Sequence, residues 1–200
     1  MSNTNLMRLG GLSLFFAGIA NVLFWLLVIP LGTFVGSAAS LNPIWIPSQL
    51  IHTLAAMLAL LGLVGLQVKL SDQGGRLGVT GFALSLFGTG FYLADAVIAL
   101  VVFPIAAMAA PALIAADGAL NLSLAYVVFA IIFMVGYILY GLALLRDKTL
   151  PRIAIVLLVL GAILANLPPG LVPMPILILG GVTWGIGAAW LGLSLQENND

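Results

Sequence analysis

Few side chains in this chain of 200 residues can do chemistry, and Asp95 stands out among them. It sits in the apolar run Phe91-Tyr92-Leu93-Ala94-Asp95-Ala96-Val97-Ile98. A carboxyl there is costly unless it is paired, hydrated or protonated, so an acid in such a run is a candidate for proton coupling or ligand binding. The plainer alternative is a protonated carboxyl that donates one hydrogen bond to a neighbouring helix. Pro104 follows nine residues later, which puts the acid about 13 Å inside the expected end of its helix.

Asn21 and Asn166 occupy comparable places. Each follows an alanine, as Asp95 does, and each precedes a proline by nine residues: Pro30, Pro104 and Pro175. An Asn side chain both donates and accepts, so two of them can hold a carboxyl in either protonation state. Asn21, Asp95 and Asn166 are therefore expected to form the centre of a site. The competing reading is three separate interhelical hydrogen bonds, each contributing about 0.6–2 kcal/mol.

His52, the only histidine, follows Pro47-Ser48-Gln49 and is expected within reach of Asp95 for proton sharing or ligand binding. Trp25 lies four residues after Asn21, and Tyr92 three before Asp95, so each is expected on the same helix face as its polar neighbour. With Tyr137 and Tyr140 they would wall a pocket for a lipid, a quinone or another apolar ligand, unless they are ordinary packing.

Other chemistry is excluded. Without cysteine there are no disulfides, thiolate metal sites or thiol nucleophiles. One histidine and one acid do not fill a zinc shell, so no metal and no cofactor are expected. No nucleophile elbow, phosphate loop or paired carboxylate occurs. The expectation leans away from an enzyme.

The elements that would position these residues follow from composition. The chain is 63% hydrophobic and 6% charged, with a mean hydropathy of +1.27, against roughly 25% charged residues in soluble domains. The expected fold is an all-α integral membrane bundle forming one transmembrane domain over residues 1–200. Its spans are Met7–Ile29, Pro47–Val68, Leu77–Phe103, Leu122–Leu145, Ile153–Leu167 and Pro175–Leu195. Most reach the ~20 residues a span needs, and the fifth is short. The first run is read as a retained span because Pro30 and a neutral loop follow it.

All six basic residues (Arg8, Lys69, Arg76, Arg146, Lys148 and Arg152) fall on one side of that topology. Basic loops stay in the cytoplasm, so a multi-pass protein of the cell membrane with cytoplasmic N- and C-termini is expected. The opposite links carry one charge, Asp117. Pro111–Asp117 is expected to form a short interfacial helix, and Trp45 and Trp190 suit the interface. Scattered basic residues exclude nucleic acid as a partner.

Spans one, three and five each begin just after an Arg and share the Asn/Asp-to-proline spacing. This pattern predicts three two-helix hairpins around an axis along the membrane normal. In span six, Gly181, Gly185, Ala188 and Gly192 form a small-residue stripe for close helix packing, inside the bundle in preference to another subunit.

Pro47 to His52, Gly65-Leu66, Gly75-Arg76-Leu77-Gly78 and Pro104 give residues 43–104 a look that resembles small six-span bacterial membrane proteins of unknown function. That resemblance implies a fold and no activity. The leading functional expectation is a non-catalytic accessory or scaffold subunit, partnered by the bilayer and by other membrane subunits or further copies of itself. The alternative is a small transporter or apolar-ligand binder that uses Asp95, Asn21, Asn166 and His52.

Overall fold

The computed structural model describes residues 3–31, 37–70, 74–114, 123–168 and 172–197. Within them the chain forms α1 (Asn3–Leu27), the single turn α2 (Ser37–Ser40), α3 (Trp45–Leu70), α4 (Gly75–Ala109), α5 (Ser123–Leu144), α6 (Arg152–Ala165) and α7 (Met174–Glu197). Short 3-10 turns occur at Ile29–Leu31 and Pro111–Ile114. Five helices (α1, α3, α4, α5 and α7) are long and apolar enough to cross a bilayer. α6 has 14 residues and spans about 21 Å, short of the ~30 Å hydrocarbon layer.

The helices are inside out by the standards of a soluble protein. α1 exposes Leu9, Leu12, Phe16, Ile19, Leu23 and Leu26, a stripe at alternating steps of three and four. It buries Gly10, Ser13, Ala17, Gly18 and Asn21. α3 exposes Leu50, Leu54, Met57, Leu61 and Val64 and buries Ser48, Gln49, His52, Ala55 and Gly62. Large apolar residues cover the outward faces, while small and polar residues share the interior with Leu14, Phe24, Leu63 and Leu66; such an apolar exterior is stable only where the surroundings are lipid. The chain is therefore a multi-pass membrane protein.

Each of the six long helices packs against its neighbours in chain order, and α7 returns to α1, so the bundle closes into a ring. The α5–α6 seam is the sparsest contact in that ring. Lipid gives helices no hydrophobic reason to associate, so close backbone approach at small residues must hold them. A methyl group added at Gly10 would collide with the backbone of Gly65. Gly18 and Gly185 meet in the same way, and Gly192 lies against Gly11 and Phe15. Gly181 lies beneath the Trp25 indole, and Ala188 is fully buried. The stripe on α7 thus faces α1 within the bundle.

The basic residues lie at the start of α1, at the end of α3, at the start of α4, and between α5 and the start of α6. Alternating helix direction gathers them at one end of the bundle. There Asp147 tightens the α5–α6 link: its Oδ1 accepts the Thr149 N–H at 2.8 Å and the Thr149 hydroxyl at 2.7 Å.

Three expectations need correction. Pro104 does not close its span, because α4 continues through it to Ala109. A proline removes only the hydrogen bond to the carbonyl four residues earlier, and a helix with packed flanks absorbs that loss. Trp45 does not present its ring to the surroundings as an interfacial anchor would. It is 1% exposed, and its indole N–H donates to the Ala99 carbonyl at 2.8 Å, on the turn before Pro104. The helix expected over Pro111–Asp117 is a 3-10 turn through Ile114, and Asp117 lies outside the described residues.

Candidate functional site

At the centre of the ring, away from the basic end, is a cavity to which all six long helices contribute. Its free space is about 30 Å³, enough for about two water molecules. It is partly open, and the surface it presents is overwhelmingly carbon.

Trp25, His52, Tyr92, Phe133 and Trp184 bring rings to the wall among alanines and a glycine. The rings run in unbroken contact from Trp25 to Phe24 (5.5 Å between centroids), His52 (4.0 Å, stacked), Tyr92 (4.9 Å) and Phe133 (5.4 Å). From Phe133 the series continues to Tyr137 (4.4 Å) and Trp184 (6.0 Å). Trp25 rests on Gly181, one turn before Trp184, so the belt returns to α7. Every long helix except α6 supplies a ring. α6 supplies Ala162, Ala165 and Asn166.

Polar groups interrupt this wall. Asn21, buried on α1, donates from Nδ2 to the Gly181 carbonyl at 2.7 Å, tying α1 to α7. The hydroxyls of Thr89 and Tyr137 pair at 3.1 Å. Asn166 caps the end of α6, donating from Nδ2 to the Ala162 carbonyl at 3.0 Å. That bond assigns nitrogen and oxygen on the side chain and leaves Oδ1 as an acceptor. Oδ1 is buried without a hydrogen-bond partner.

His52 is in a similar position. Its Nδ1 lies 3.5 Å from Gln49 Oε1. An amide oxygen accepts, so the proton belongs on Nδ1, and Nε2 is left as an acceptor. Nε2 is buried and unpartnered. Trp184 Nε1 lies beside the Tyr137 hydroxyl, its nearest polar partner. His52 and Asn166, both in the cavity lining, thus carry buried polar atoms without a partner. Native interiors rarely leave such groups unpaired, and each costs about 1–3 kcal/mol.

Asn21, Trp25, His52, Tyr92 and Asn166 come together at the cavity. Asp95 is not in its lining. The buried stripe of α4 runs through Gly81, Ser85, Thr89, Ala96 and Ala99, and Asp95 falls one position off it, about 100° around the helix. There it is half-buried, in the neighbourhood of Tyr92 and Tyr126. The His52 ring meets Phe24, Tyr92 and Gln49, not the carboxyl. Because α4 ends at Ala109, Asp95 lies about 21 Å from its helix end, not 13 Å.

Sequence reasoning missed Trp184, Thr89, Phe24 and Phe133. Trp184 had a signal: it is the one bulky ring among Gly180, Gly181, Gly185 and Gly187. The backbone of Trp184 lies against Gly161 of α6. Among the described residues no group of three or more His, Asp or Glu is placed to hold a metal. No family model matches the chain, and neither a curated protein nor a solved structure does.

Proposed function

We propose that this chain is a non-catalytic, six-span protein of the cell membrane that binds a small apolar molecule in its central cavity. The observation that carries this reading is a partly open, carbon-walled cavity at which all six helices meet, with His52, Asn166 and Trp184 in its lining. A few fixed polar groups in an apolar wall are what a small-molecule site requires. α6 serves as the sixth span, helped by its neighbours, and both termini face the cytoplasm with the basic end. The closed ring of hairpins α1–α3, α4–α5 and α6–α7 supports a threefold repeat about the membrane normal. The sparse α5–α6 seam is the route to lipid.

The test is native mass spectrometry of the full chain after gentle extraction. A retained small mass is expected, and Ala56→Leu, which fills the cavity from α3, should lose it. An accessory or scaffold subunit predicts instead no small mass and a persistent protein partner. Topology is tested separately. The chain lacks cysteine, so Arg76→Cys and Arg146→Cys are single-thiol variants, and both should react only from the cytoplasmic face.

A further inference from the structure

The cavity limits what can enter it. Its surface is nearly all carbon, and the buried polar atoms of His52 and Asn166 have almost no exposed area. Apolar cavities stay dry and take apolar groups. An occupant therefore brings carbon to this space and keeps any polar head elsewhere. Free space of about 30 Å³ holds about two water molecules, and a methylene is of similar size. The space takes the last few carbons of a chain, and the ring of a quinone does not fit. The rest of such a molecule lies outside, which a partly open cavity allows.

Depth and the α5–α6 seam indicate where the rest lies. Asn21, Thr89 and Asn166 stand 13, 13 and 14 residues after Arg8, Arg76 and Arg152. At 1.5 Å per residue the cavity is about 20 Å from the basic end. The hydrocarbon layer is about 30 Å thick, so the cavity lies in its far half, at the level of lipid chains. Toward the basic end, Gly141 of α5 lies against Val159 of α6. Farther along α5, Phe129 stacks on Phe91 at 3.8 Å and Phe133 meets Tyr92. The rings of α5 thus turn to α4 at the level of the cavity, where α6 ends at Ala165.

Resting on the binding reading above, we infer that the cavity seats the terminal carbons of an unbranched alkyl chain, which enters from the far half of the bilayer between α5 and α6. The methyl end lies against the rings of Trp25 and Trp184, and the head stays in the membrane.

Bromine quenches indole emission on contact, so brominated chains provide the test. Of four tryptophans, Trp25 and Trp184 line the cavity, Trp45 is buried elsewhere and Trp190 is exposed. The full chain carrying Trp190→Phe is reconstituted in phosphatidylcholine vesicles. In one arm the lipid chains carry bromine near their ends. In the other, ω-bromododecanoate is added to unbrominated lipid. At least one arm is expected to remove up to two thirds of the emission, the share of Trp25 and Trp184 among the three indoles left. A response in the first arm identifies a bilayer lipid as the source of the chain, and one in the second a free amphiphile. Ala56→Leu should restore the emission, and Ala59→Val, also in the lining, replaces it if that variant does not fold. Bromoadamantane, too wide for the space, should leave the emission unchanged. Quenching that survives the filled cavity, or equal quenching by bromoadamantane, overturns the chain inference. A small mass retained in native mass spectrometry with no quenching in either arm overturns it too and leaves the cavity as a binding site. Neither mass nor quenching overturns the cavity reading and this inference together.

Discussion

The two ends of the bundle are built from the same helices by different rules. Toward the basic end, α1, α3 and α7 approach at Gly10, Gly65 and Gly192, and aliphatic side chains such as Leu66, Leu70, Leu144, Ile155 and Leu195 fill the space. Close backbone contact supplies the dispersion energy, and the few buried polar groups there, such as Gln67, Tyr140 and Asp147, sit among tightly packed side chains. Toward the other end, the same helices spread around rings, amides and an imidazole. Packing there leaves a void. A bundle that needed only stability would have extended the first solution through its length. The binding proposed above uses the void in the second region.

Several substitutions would break or sharpen this contrast, beginning with the largest effect. Gly10→Leu drives a side chain into the Gly65 backbone. It should destabilise the protein by about 3 kcal/mol or more, seen as loss of a cooperative thermal transition in detergent. A tolerated Gly10→Leu would show that the basic end is not the structural half. Asn21→Ala removes the bond to the Gly181 carbonyl and leaves that acceptor buried. A loss of about 1 kcal/mol is expected from reversible unfolding.

His52→Phe should change stability by less than about 1 kcal/mol. Relief of the unmet Nε2 offsets the lost Gln49 contact, and the rings of Phe24 and Tyr92 keep a partner. A large loss would mean that His52 is there for folding and not for a ligand. The smallest effect belongs to Gly90→Ala on α4. An added methyl at Gly90 meets nothing within 4 Å. A gain of about 0.5 kcal/mol is expected from reduced backbone freedom, read as a slightly raised unfolding midpoint.

Much of the site was legible because polar residues in an apolar chain have few places to go. Asn21, His52 and Asn166 each cost too much in lipid, and so turned inward, with Trp25 and Tyr92 nearby. Asp95 followed the same logic and was misplaced, because one step along a helix is about 100° of rotation. Sequence spacing to Pro104 does not report that angle. Trp184 and Phe133 escaped notice because aromatic residues are unremarkable in membrane helices. Only contact between helices distant in sequence makes them a wall.

The sequence by itself determined that this chain lives in a bilayer and that its basic links share one end. Those properties depend on residue counts and on the cost of charge in hydrocarbon, neither of which needs coordinates. Tertiary structure alone decided the ring closure of α7 on α1, the belt of rings and the exclusion of Asp95 from the cavity. Each depends on how far a helix is rotated about its axis, and in lipid that angle is set by which glycines meet which backbones, not by any one helix alone.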